Sequence, residues 1–282
     1  MGRSMCSHLL KAGYKTSVYN RSQAKLQDLI SLGASTCISP REVAKQSDIV
    51  FSMVGYPSDV EEVILGERGV LAGLAPGGIV VDMTTSRPGL AKKIAEEALN
   101  KNIVALDAPV SGGDIGAREA RLSIMVGGTL EAFETLTPLW KLMGATYVYQ
   151  GPAGCGQHTK MVNQILIASA MVGLCEAMLY AKQTGLDPES VLKSVSSGAA
   201  GSWSLSNLTP RILKGDYAPG FFVDHFVKDL SIAIDEAEKV GLQLPGLLNA
   251  KKAYEYLQSM GHGKSGTQAL ILGIAKQNAK DW

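Results

Sequence analysis

Lys160 stands where a glycine-broken turn, Gly151-Pro-Ala-Gly-Cys-Gly156, runs into a long apolar segment. The segment from Lys160 to Lys182 reads as a helix, so Asn163 and Gln164, three and four residues on, share the lysine's face. One amine and two amides then point from a single surface at a helix start. The positive end of the helix dipole disfavours an ammonium there and is expected to lower its pKa. An amine nearer neutrality can give and take a proton at physiological pH. The plain alternative is a solvated lysine in a first helical turn.

The elements that would position such a group follow from the rest of the chain. Its 282 residues suffice for two domains, and 46% of them are apolar. A formal charge of +1 offers no field for nucleic acid or an anionic membrane. Cys6, Cys37, Cys155 and Cys175 are scattered without a CxxC, which reads as reduced thiols in a cytoplasmic or mitochondrial-matrix protein. The four histidines show no metal-ligand spacing, so no metal is expected. The longest apolar run, Ile165 to Cys175, is short for a bilayer span, and no targeting segment is visible.

Met1 to Gly13 opens directly as a helix, followed by a strand over Lys15–Asn20 and a helix that Ser22 caps, reaching Leu32. Buried strands are expected at 48–54, 79–83, 103–107, 122–126 and 147–149. Helices fall between them: one capped by Ser58, one begun by Pro88, one over 130–143. Short apolar strands alternating with helices predict a parallel sheet covered on both faces. After Gly151 the strands stop. The helix from Lys160 is apolar on nearly every face and is expected to be buried all round. Further helices open at Pro188, Asp224 and Pro245. The expected fold is α/β: a Rossmann-like parallel-sheet domain over 1–151, then an all-α domain over 152–282.

A dinucleotide fold opens strand, G-x-G-x-x-G, helix. Gly2 stands where the last of these glycines would be; the first strand and first two glycines are expected to be missing from an incomplete form of a longer product. Asn20-Arg21-Ser22 ends the next strand, about 20 residues on, where an acid would bind the ribose. Asn20 has no charge to repel a 2′-phosphate, and Arg21 and Ser22 could hold one. The pattern favours NADP(H) over NAD(H).

Four stretches together resemble the β-hydroxyacid dehydrogenases. Met1-Gly-Arg-Ser-Met5 is similar to the tail of that family's glycine-rich signature, and Asp107-Ala-Pro-Val-Ser-Gly-Gly113 to its substrate motif. Gly154-x-Gly-x-x-x-Lys160-x-x-Asn163 resembles its catalytic motif, and Phe222 to Leu230 its C-terminal signature. The resemblance spans essentially the whole chain and is nearest the 3-hydroxyisobutyrate-dehydrogenase-like branch. It implies hydride transfer between a nicotinamide and a small 3-hydroxy acid or its semialdehyde, with Lys160 moving the proton. It implies a carboxylate clamp at Ser111, Gly112 and Gly113, with Asn163 and Gln164 beside the substrate. Gln164 stands where many relatives carry asparagine. Gly2, Met5, Met53, Val54, Thr85, Phe222 and Lys228 are implied to line the cofactor, and Asp229 to order the site. Ala120 replaces a usual glycine. A homodimer or homotetramer is implied too. Two other readings stay open: an NADPH-dependent glyoxylate or succinic semialdehyde reductase, and a catalytically inactive scaffold keeping the fold.

Overall fold

Runs of aliphatic and β-branched residues form the strands of the first unit, Met1–Lys160. The computed structural model describes residues 1–282. The strands are β1 (Ser17–Val18), β2 (Ser35–Thr36), β3 (Ile49–Ser52), β4 (Ile79–Asp82), β5 (Val104–Asp107), β6 (Val110–Ser111), β7 (Leu122–Gly127) and β8 (Gly144–Gly151). Helices α1 (Gly2–Lys11), α2 (Gln27–Ser31), α3 (Pro40–Ala44), α4 (Pro57–Leu65), α5 (Pro88–Leu99), α6 (Gly113–Arg118), α7 (Leu130–Thr135) and α8 (Thr137–Met143) run between or beside them.

The Rossmann-like α/β fold expected is present, with a sheet that is mixed and not wholly parallel. β1 and β2 form a separate parallel pair, while the main sheet has the order β3-β4-β5-β7-β6, with β8 also on β7. β3, β4 and β5 are parallel, but β5 and β6 both pair antiparallel with β7. The core on one face gathers Met5, Val81, Met83, Leu106, Ile124 and Trp140. Trp140 is fully buried; its Nε1–H donates to the Phe133 carbonyl at 3.0 Å, and Phe51 meets its ring edge-on at 6.0 Å. Such aromatic pairs add about 0.5–1.5 kcal/mol beyond their burial.

Helix starts depart from expectation more than helix positions do. Ser22 makes no capping bond; its segment opens as a 3-10 turn over Gln23–Leu26 before α2. Tyr56, not Ser58, precedes α4: its N–H donates to the Asp59 carboxylate at 3.0 Å and Pro57 takes the first helical position. The expected helix over 130–143 breaks at Leu136 into α7 and α8. Ala120 does adopt a left-handed conformation, with φ 54°, where glycine would sit without strain.

The second unit, Met161–Trp282, is helical. The long helix α9 (Cys155–Gln183) begins in the first unit and continues here, followed by α10 (Pro188–Val195), α11 (Trp203–Leu213), α12 (Val223–Lys239), α13 (Pro245–Leu257) and α14 (Leu270–Gln277). The boundary between the two compact units falls inside α9. Met161, Ala168, Met171, Cys175 and Met178 of α9 join Phe226, Leu230 and Tyr254 in its core. Phe226 and Tyr254 pack edge-on at 4.9 Å, and the tyrosine hydroxyl donates to the Thr267 carbonyl at 3.0 Å. By length and composition α9 could cross a membrane, and in this unit its inner face is the hydrophobic core. It is not buried all round: Val162, Leu166 and Tyr180 are 57%, 68% and 69% exposed.

Candidate active site

Two parallel strands of the first unit end in carboxylates. β4 and β5 pair in register, so Asp82 lies opposite Asp107 at their C-terminal ends. Asp82 accepts from Ser52 Oγ at 2.8 Å and from the Thr84 N–H at 3.1 Å. Burial pushes its pKa up to about 6; those hydrogen bonds oppose the shift and the neighbouring Asp107 adds to it. Asp107 receives the Gly154 N–H on Oδ1 at 2.7 Å and the Gln157 N–H on Oδ2 at 2.8 Å. Its pKa is also raised to about 6, by burial, against the pull of those backbone donors.

This arrangement fixes the first turn of α9. Helix N-termini leave N–H groups without intrahelical partners, and Asp107 supplies one of the acceptors from a distant strand. Gln157, fully buried, closes the other side. Its Nε2 donates to the Thr84 carbonyl at 2.7 Å, and its Oε1 accepts the Ser86 N–H at 2.9 Å. Lys160 lies three residues after Gln157 and is only 6% exposed. The helix starts at Cys155, so Lys160 sits in its second turn, not at its start as expected. The dipole argument falls away with that, because the effect fades beyond the first turn. Burial is what distinguishes this amine.

Ser111 ends β6, half-buried and paired with Ser123 of β7. Gly112 and Gly113 follow with φ of 125° and 62°, so the chain turns sharply into α6. On β1 and β3, one cleft of about 1280 Å3 is lined by Gly2, Met5, Asn20, Arg21, Met53 and Val54. Six of the expected cofactor residues thus border one space, which runs along the length of β1 and β3. Ser22 and Thr85 do not line it. Arg21 is not idle: its guanidinium lies 3.0 Å from Asp59 Oδ1. The neighbour of Thr85 has the ordering role here, since Thr84 Oγ1 accepts the Val54 N–H at 2.9 Å.

In the second unit, Asn163 Nδ2 donates to Gln164 Oε1 at 2.7 Å, and Gln164 Nε2 donates to Asp229 Oδ2 at 2.6 Å. Lys228 Nζ lies 2.9 Å from Asp229 Oδ1, and Asp229 is fully buried. Phe222 precedes α12 and is 40% exposed.

Residues 1–151 match the NAD binding domain of 6-phosphogluconate dehydrogenase, and residues 154–273 the NAD-binding region of NADP-dependent 3-hydroxyisobutyrate dehydrogenase. The chain belongs to the β-hydroxyacid dehydrogenase family. It is 54% identical to an uncharacterized oxidoreductase of Bacillus subtilis over 96% of this chain and 94% of that protein. It is 51% identical to a probable mitochondrial 3-hydroxyisobutyrate dehydrogenase-like protein of Arabidopsis thaliana, over 99% and 83%. The crystal structure of 3-hydroxyisobutyrate dehydrogenase from Salmonella typhimurium is similar with a TM-score of 0.87, at 28% identity over 96% and 95% of the two chains. The protein is an NAD(P)-dependent hydroxyacid oxidoreductase acting on a CH–OH group.

For this dehydrogenase, the cleft bordered by Gly2, Met5, Asn20, Arg21, Met53 and Val54 lies within the region matched to an NAD binding domain. Gly2 opens α1 beside Met53, which an added Cβ would meet at ordinary contact distance, 3.4 Å. The sequence reading missed Asp82, Asp107 as an ordering acid, Thr84 and Gln157. An acid closing each of two apolar runs, Val-Val-Asp82 and Ala-Leu-Asp107, was the available signal.

Proposed function

We propose that this β-hydroxyacid dehydrogenase transfers hydride between NADP(H) and a small 3-hydroxy acid or its semialdehyde, with Lys160 carrying the proton. The observation that supports it most is a buried lysine on a helix whose first turn is pinned to two strand ends. The nicotinamide supplies the hydride chemistry. During oxidation, neutral Lys160 Nζ takes the hydroxyl proton as hydride leaves the substrate carbon; during reduction it returns that proton to the oxygen. Ser111, Gly112 and Gly113 hold the substrate carboxylate, and Asn163 and Gln164 contact the substrate. Asp229 orders Gln164 and Lys228 through the bonds it makes to both. Lys228, Phe222 and Thr85 serve the cofactor.

Substitution of Ser111 by alanine is expected to raise KM for the acid with little change in kcat, because the hydroxyl binds ground and transition states alike. Steady-state kinetics on 3-hydroxyisobutyrate checks this; an unchanged KM makes Ser111 a turn residue only.

The preference for NADP(H) rests on Asn20, which is uncharged, and Arg21, whose side chain is 72% exposed beside the cleft. Arg21→Ala is expected to weaken NADPH about tenfold or more, the equivalent of one charged hydrogen bond, while NADH changes little. Equal losses for both, measured by equilibrium titration, remove the preference. The same pair favours a second reading, an NADPH-dependent reductase running toward the alcohol. Turnover on glyoxylate against 3-hydroxyisobutyrate separates the two. Absence of saturable NADPH binding would instead favour the inactive scaffold. Exposed Val162, Leu166 and Tyr180 support a homodimer or homotetramer, and relatives named as mitochondrial support a matrix or cytoplasmic location.

A further inference from the structure

The buried network around Gln157 ties the Val54 segment to the first turn of α9. One amide bond runs to the Thr84 carbonyl, and Thr84 Oγ1 in turn holds the Val54 N–H on the cofactor side. The other accepts the Ser86 N–H. On the helix side, the Gln157 N–H goes to Asp107, which also takes the Gly154 N–H. Lys160 follows one turn later on α9, roughly 4.5 Å further along the axis. Gly156 between them has its backbone against β5 and β7, leaving no room for a side chain.

We propose that Gln157 and Asp107 are positioning residues that set the Lys160 amine against the cofactor-side loop. Neither has an assigned role in the reaction. The amide is suited to the task because it donates and accepts at once, so a single side chain spans Thr84 and Ser86. The carboxylate is suited because its two oxygens meet two backbone donors; an amide in its place would set an NH2 against one N–H. The geometric demand is severe: a displacement of about 1 Å costs on the order of 10²-fold in rate. The proposal rests on Lys160 being the proton carrier.

Gln157→Met keeps the length of the side chain and removes both amide bonds. In the full chain, with NADPH and glyoxylate, kcat is expected to fall on the order of 10²-fold while KM changes little. In a Lys160→Ala background the same substitution is expected to add less than about twofold, because the group being positioned is gone. A second readout needs no turnover. Acylation of Lys160 in the cofactor-free protein, followed by mass spectrometry, is expected to rise about tenfold as the first turn opens more easily, with the other lysines unchanged. Asp107→Asn is expected to behave likewise. If Gln157→Met does not fold, Gln157→Glu takes its place, since it keeps the acceptor toward Ser86 and loses the donor toward Thr84. Equal losses in both Lys160 backgrounds, or unchanged kcat with unchanged labelling, overturn the positioning role. Full turnover in Lys160→Ala with Gln157 intact overturns the proton role first, and positioning with it.

Discussion

Lys160→Arg is expected to bind NADPH normally and to lose most of its turnover. Arginine keeps the charge and nearly the reach of lysine, but it does not give up a proton near neutral pH. Lys160→Ala should lose at least as much. Positioned acid–base groups contribute about 10²–10⁴-fold, roughly 3–5 kcal/mol of barrier. A lysine with only a structural role would behave otherwise, the loss appearing in stability while surviving protein turned over normally. The pH profile offers an independent check. The part of the pH dependence of kcat that belongs to the lysine should vanish in the residual activity of Lys160→Ala. Asp82 and Asp107, each pushed up to about 6 by burial, titrate on the acid side in both proteins and so do not mimic that change. Retention of more than about a tenth of wild-type turnover by Lys160→Arg would end the proton-carrier reading.

The alternation of short apolar strands with helices was legible because buried parallel strands read as continuous hydrophobic runs. The start of α9 was not, because its local sequence argues against a helix and its partners are distant. Gly154 and Gly156 flank its first residue, and glycine is among the poorest helix formers. What begins the helix there is Asp107, whose carboxylate takes two N–H groups from residues 47 and 50 positions away. Gln157 was invisible for the same reason, since its amide partners lie 71 and 73 positions away. β2, Ser35–Thr36, is too short and too exposed to leave a periodic signal. α9 was over-read: its composition is apolar on most faces, yet composition does not say which faces meet a neighbour. The four motifs single out Lys160, Ser111 and Asp229 as candidates, but the bonds that tie Thr84 to Val54 and Gln164 to Asp229 needed three dimensions.

Two glycines on α9 should respond to alanine with opposite signs. A Cβ on Gly156 would fall against the Met125 carbonyl oxygen, 2.5 Å from the Asp107 carbonyl oxygen and 2.9 Å from Asp107 Oδ2. The carbonyls belong to strand backbone, which cannot step aside without breaking the ladder. Overpacking typically costs about 1–3 kcal/mol and sometimes more, and here it also pushes α9 away from the carboxylate that caps it. Gly156→Ala is therefore expected to lower the urea midpoint of the first unit and, in folded protein, to reduce kcat by displacing Lys160. Gly173 lies later on the same helix, exposed, with nothing within 4 Å of an added Cβ. There alanine relieves only the backbone-entropy penalty of glycine, and Gly173→Ala is expected to stabilise the helix by about 0.8–1 kcal/mol with kcat unchanged. Parallel unfolding curves and kinetics on the two variants decide the matter. If both lose or both gain stability, helix propensity governs α9 and close packing at Gly156 does not. If Gly156→Ala unfolds early yet turns over at the wild-type rate, the first turn of α9 holds the fold without setting the position of the amine.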